Sequence, residues 1–193
     1  DSSAFLIGRR ESFIGLYQTA FYAHVLSGPL VLILGAFLMC SGGRPRLARL
    51  HRWAGRTQML IVLSIVVPSG LVMARQATAG PIAAYGFASL SIATAVAASA
   101  AIYFAMANQF VAHRIWASRC FVLLCSPLLL RLMSGVLIVL QLEADWLYRL
   151  NAWLSWLIPL VAYEANLFFR APHRPSESAE RPRVLPTKRL FNE

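Results

Sequence analysis

The sequence predicts an all-α fold, an integral membrane helix bundle of about five transmembrane helices in which spans 1–2 and 3–4 form a duplicated helical hairpin. Three observations lead there. Of 193 residues, 58% are hydrophobic and 13% charged, against about 45–50% and about 25% in soluble domains. No Lys, Arg, Asp or Glu occurs between Glu11 and Arg44, from Thr57 to Ala74, or from Gln76 to Ala112. Each stretch reaches the roughly 18 apolar residues that suggest a bilayer-spanning helix. Finally, His51-Arg52-Trp53-Ala54-Gly55-Arg56 returns, with one residue inserted, as His113-Arg114-Ile115-Trp116-Ala117-Ser118-Arg119, and each copy opens a long apolar run.

Taken in order, the spans are expected at about 14–40, 56–75, 82–107, 119–142 and 151–170. The first is uncharged throughout. The second begins where the first His-Arg-Trp segment ends. The third is rich in small residues, with Ala93, Ala95, Ala97, Ala98, Ser99, Ala100 and Ala101 in close succession. Small side chains let helix backbones approach closely, which places this helix centrally against one or two neighbours. The fourth and fifth each carry one intramembrane charge, Arg131 and Glu164. Trp53 and Trp116 mark one membrane interface and Trp146, Trp153 and Trp156 the other, where an amphipathic indole prefers to lie. Pro29, Pro68, Pro127 and Pro159 fall within four spans, each freeing a carbonyl and favouring a kink. The resulting organisation is an extracytoplasmic segment over 1–12, a transmembrane domain over 13–171 and a cytoplasmic, basic, proline-rich tail over 172–193, too poor in apolar residues to fold alone.

The charges orient the bundle. One face collects thirteen Lys and Arg against three Glu, whereas the opposite face carries four basic and four acidic residues. By the positive-inside rule the basic face is cytoplasmic, which puts the N-terminus outside and the C-terminus in the cytoplasm. The chain opens at Asp1, and Asp1–Ser12 has no apolar core of signal-peptide length; an outside N-terminus is therefore expected to rely on an upstream helix or signal. The basic face suits anionic lipid headgroups, at about 1 kcal/mol per basic residue near the membrane. Topology accounts for the basic residues and no nucleic-acid motif accompanies them, so nucleic acid is not an expected partner. Three cysteines without a CxxC pair give neither a disulfide framework nor zinc spacing.

Four residues are candidates for a cofactor site: His24, His51, His113 and Arg131. An unpaired arginine near mid-bilayer costs about 2.5–3.5 kcal/mol on insertion scales, so Arg131 needs compensation. Either it forms a buried ion pair with Glu164 that docks the fourth helix on the fifth, or it faces an anionic ligand such as a haem propionate or a lipid phosphate, with Glu164 handling protons. His24 lies inside the first span, where a histidine is either satisfied by a neighbour or a ligand; Gln18, Thr19 and Tyr22 are near it in sequence. His51 and His113 follow from the duplication, which implies hairpins related by an axis along the membrane normal and both rings at one depth. Facing inward they can coordinate one haem iron, with Arg52, Arg56, Arg114 and Arg119 for propionates or other anions; facing lipid they are interfacial anchors.

These segments resemble a family of predicted bacterial multi-span membrane proteins of unknown function. The resemblance runs over about residues 17–140. It rests on an aromatic-x-x-His-x-x-x-Gly stretch (Phe21, His24, Gly28), an LHRWxGR segment (Leu50 to Arg56), an HRxWMxRS segment (His113 to Arg119, departing at Ala117, where the family tends to have methionine, and at Cys120, where it tends to have serine after the arginine) and an LRL (Leu130, Arg131, Leu132). It implies a multi-span helical fold in the bacterial inner membrane and names no activity. Carboxylate pairs, Gly-rich phosphate loops and Ser-His-Asp sets are missing from the sequence, which gives hydrolase and kinase readings nothing to stand on. Two classes remain: a non-enzymatic membrane protein, as a subunit of a larger complex or a lipid- or small-molecule-binding module, and a b-type haem electron-transfer protein with histidine ligands.

Overall fold

In the computed structural model of the protein, residues 15–77, 80–141 and 145–170 are described. The expected segments 1–12 and 172–193 lie outside the described residues. Everything regular is helical: α1 Leu16–Ser41, a 3-10 turn Pro45–Leu47, α2 Ala48–Ile61, a π turn Val62–Val66, α3 Val67–Ala74, α4 Pro81–Met106, α5 Phe110–Leu124, α6 Ser126–Val139 and α7 Asp145–Arg170. Joined end to end, these give five helices long and apolar enough to cross a membrane: Leu16–Ser41, Pro45–Ala74, Pro81–Met106, Phe110–Val139 and Trp146–Arg170. The protein is a membrane protein of five candidate spans.

Short connections make successive spans antiparallel. One end of the bundle, the basic end, gathers the C-termini of α1, α4 and α7 and the N-termini of α2 and α5; the far end gathers the rest. At the basic end Arg44 is extended before Pro45, as a residue preceding proline must be, and Pro45 then opens the turn into α2. Asn108, in the left-handed region that asparagine tolerates, reverses the chain between α4 and α5.

Three spans begin earlier than hydropathy indicates: the second, fourth and fifth, expected from 56, 119 and 151, start at Pro45, Phe110 and Trp146. Hydropathy falls at Arg46, Arg49, Arg52 and Arg114, but a helix continues through charged residues whose long stems reach the headgroup region.

The prolines act differently. α1 and α7 contain Pro29 and Pro159 without interruption. Pro68 lacks the N–H that would bond back to Ser64, and the five residues Val62–Val66 just before α3 widen into a π turn. Serine hydroxyls occupy carbonyls of that region: Ser69 Oγ donates to the Ile65 and Val66 carbonyls at 2.5 and 3.1 Å. At Pro127 the helix breaks between Leu124 and Ser126.

The core joins Val31, Val62, Val67, Ala97, Ala98, Cys120, Leu123, Leu124 and Trp156. α4 is central and has three neighbours, α3, α5 and α7, one more than expected. Its Ala97, Ala98 and Ala101 are essentially inaccessible, since only small residues allow backbones this close. Gly86 serves the same end: a Cβ there would stand 3.1–3.2 Å from Trp153 and the Ala152 carbonyl of α7. Outside, Leu16, Leu26, Ile33, Leu60, Ile92, Leu132 and Phe168 are exposed, an apolar surface that lipid covers.

Candidate functional site

The repeated segments place their histidines on equivalent residues. His51 is the fourth residue of α2 and His113 the fourth of α5, both half-buried at the basic end. Each ring is held through Nδ1 by the helix preceding its own. The His113 Nδ1–H donates to the Ala101 carbonyl at 2.8 Å. His51 Nδ1 is 2.8 Å from Ser41 Oγ, a hydroxyl that can either accept from the imidazole or donate to it and that also lies 3.4 Å from the Leu38 carbonyl. The His113 ring therefore carries hydrogen on Nδ1 and a lone pair on Nε2. This is the tautomer a metal-ligating histidine adopts when an oxygen acceptor orients it.

Around them, Arg52, Arg56 and Arg114 are exposed. The Arg114 guanidinium lies over the loop after α1, with Nη2 3.8 Å from where a Cβ on Gly43 would be. Beneath the pair, on the same face of α2 two turns deeper, Gln58 is 3% exposed and its Oε1 has no hydrogen-bond partner. Its Nε2 and the Phe121 ring converge on Gly35 of α1, where a Cβ would meet them at 3.2 and 2.6 Å.

Arg119 does not belong with these arginines, and the Arg131–Glu164 ion pair is not the one that forms. Arg119 binds Glu164 in a bidentate fork, Nε to Oε1 at 2.6 Å and Nη2 to Oε2 at 2.9 Å, with its guanidinium carbon 4.4 Å above the Trp116 ring. Tyr163 adds a bond from its hydroxyl to the Ile115 carbonyl at 3.5 Å. The reason is the helix start. With α5 beginning at Phe110, Arg119 lies about 14 Å from the basic end and Glu164, six residues before Arg170, about 9 Å. Arg131 stands a further 12 residues along, about 18 Å beyond Arg119. Glu164 is thus a pin between α5 and α7. Arg131 is exposed and donates from Nη1 to the Pro127 carbonyl at 3.3 Å.

His24 is far from the histidine pair. Its Nδ1 bonds Ser69 Oγ at 3.0 Å, from α3 and not from its own helix; Thr19, expected beside it, bonds the Gly15 carbonyl. Four cofactor candidates therefore separate into His51 with His113 at the basic end, and His24 with Arg131 in the far half. Among the described residues no three His, Cys, Asp or Glu side chains form a metal-ion cluster. Sequence reasoning passed over Ser41, Ser69 and Gln58. Gln58 had a visible signal, being a strongly polar residue in the run from Thr57 to Ala74; the serines had none, because their partners are on other helices.

No curated protein and no solved structure matches the chain. A family model described as a predicted membrane protein (DUF2306) matches residues 21–166, a range holding His24, both His-Arg-Trp segments, Arg131 and Glu164. The match spans most of the chain, and the protein belongs to this family of predicted membrane proteins.

Proposed function

We propose that the protein is a non-catalytic, ligand-binding module of the bacterial inner membrane, with its basic end in the cytoplasm, and that its ligand is held by His51 and His113. The observation that carries this reading is the matched anchoring of the two rings: each Nδ1 is engaged by an oxygen of the preceding helix, so Nε2 is the nitrogen through which each ring would meet a ligand. Anionic lipids are the expected neighbours of the surrounding arginines, and further membrane subunits are possible partners of the same module.

A second, narrower reading follows from the same nitrogens. Two neutral imidazole Nε2 atoms from two helices are the axial donor set of a b-type haem, and Arg52, Arg56 and Arg114 are placed at the same end for its propionates. The protein then carries electrons.

Absorbance of detergent-purified protein, oxidised and then dithionite-reduced, tests the narrower reading. A Soret band with sharp reduced α and β bands, lost in both His51→Ala and His113→Ala and kept in His24→Ala, is the expected result. A featureless spectrum after haem-replete expression removes the haem. The broader reading is then decided by native mass spectrometry, which should show a copurifying small molecule that both histidine variants lose; a wild type with no such adduct sinks it.

A further inference from the structure

Arg131 is a membrane-embedded cation whose described surroundings do not neutralise it. Glu164 is the one carboxylate among the described side chains, and both of its oxygens are engaged by Arg119. The fourth span, Phe110–Val139, has 30 residues, about 45 Å of helix against a hydrocarbon core of about 30 Å. Dividing the excess between its ends puts the Arg131 backbone, eight residues before Val139, about 5 Å inside the far boundary. An arginine at that depth ordinarily extends its guanidinium to the nearer interface. Here it turns the other way, towards the bilayer centre, onto the Pro127 carbonyl. That leaves the rest of a five-donor fork on the exposed face of α6.

In the same half of the bundle, α1 and α3 carry a polar patch. Ser69 orients His24, and Gly70 leaves the room that lets His24 and Ser91 of α4 come together: a Cβ there would stand 3.5 Å from His24 Cε1 and 2.7 Å from Ser91 Oγ. α6 packs on α7.

We propose that Arg131 seats the anionic headgroup of a membrane amphiphile in the far half of the bilayer, its acyl chain lying along the exposed face of α6. The shared chemistry is a pair of anionic oxygens that a guanidinium grips in a fork, on a chain that replaces bulk lipid beside Leu128 and Leu132. Phospholipid phosphate and fatty-acid carboxylate both supply it. The site is separate from the histidine pair and does not depend on it.

The test uses the full chain, delipidated in a neutral detergent and titrated with phosphatidylglycerol, phosphatidylcholine or oleate, with adducts counted by native mass spectrometry. Because the basic end also attracts anions, the reading is the difference from Arg131→Gln, with Arg46→Gln/Arg49→Gln as the control for that end. Expected is one adduct of phosphatidylglycerol or oleate bound at least ten-fold more weakly by Arg131→Gln and unchanged in the control; whichever amphiphile shows it names the source. Should Arg131→Gln fail to fold, Arg131→Lys keeps the charge without the fork and is expected to weaken the same adduct at least three-fold. Equal binding by wild type and the Arg131 variants, or an adduct that phosphatidylcholine supplies equally well, overturns the proposal.

Discussion

In the first hairpin Pro68 is absorbed by a π turn, the helix runs on, and α3 stays packed on α1, the helix it was paired with from the start. In the second, Pro127 parts α5 from α6, and α6 packs instead on α7, which itself lies on α4 and α5. The two copies share a histidine on the fourth residue of their second helix, yet they diverge within four turns of it. The fifth span accounts for the divergence. α7 brings Trp153, whose Nε1 donates to the Ile82 carbonyl at 3.1 Å, and Asn151, whose Nδ2 donates to the Leu130 carbonyl and Ser134 Oγ at 3.1 and 2.9 Å. The second half of the second copy is thereby held against an added helix, while α3 of the first copy packs on α1 and α4.

The sharpest way to break this comparison is through the pin. Glu164→Ala leaves Arg119 without its carboxylate in a part-buried site, and a loss of about 1.5–3 kcal/mol is expected. Arg56→Ala, its counterpart in the first copy, should move stability by less than about 0.5 kcal/mol. Reversible unfolding in mixed micelles measures both, and similar values would mean that α7 does not depend on the pin. The double variant Arg119→Met/Glu164→Leu should recover most of the loss, because no charge is then left buried.

A smaller effect separates the prolines. Pro127→Ala lets α5 and α6 rejoin and strains the bonds from Asn151, which is expected to cost about 1–3 kcal/mol. Pro68→Ala restores a helical N–H where the chain already continues, and is expected to be neutral or stabilising. Thermal unfolding followed by circular dichroism ranks the pair; an equally mild Pro127→Ala would show that the break is not needed for α7 to dock.

Within the first hairpin, Gly35→Ala forces a methyl onto Phe121 and Gln58 and should cost about 1–3 kcal/mol, whereas Gly28→Ala, with nothing within 4 Å of its Cβ position, should gain up to about 1 kcal/mol from helix propensity. Least of all, Gln58→Met removes a buried oxygen without a partner and should leave stability unchanged or raise it by about 1 kcal/mol. A clear loss in that variant, read in the same melts, would indicate that a bound water or ligand serves Oε1.

Five spans, the central small-residue helix and the doubled His-Arg-Trp segment were legible because hydropathy and repetition are local properties. The helix starts were not, since arginines that a helix carries into the headgroup region look like loop residues in a hydropathy count. That single error at Phe110 displaced the partner of Glu164 from Arg119 to Arg131. The anchoring of His51 and His24 was illegible for another reason: Ser41 and Ser69 are ordinary serines until a neighbouring helix brings a ring to them. What remained readable was that the histidines of the two copies are equivalent, and their matched Nδ1 bonds follow that equivalence.

Ile115, the residue that the second copy inserts between its arginine and its tryptophan, has an effect out of proportion to its size. Each residue turns a helix by about 100°, so the residues from Trp116 to Arg119 are rotated by that angle relative to their counterparts in the first copy, while His113 before them keeps its bearing. Arg56 remains exposed at the basic end, and Arg119 is swung towards α7 and its glutamate. One added residue can thus leave the histidine at the head of a duplicated helix in its bearing and re-aim the side chains that follow it.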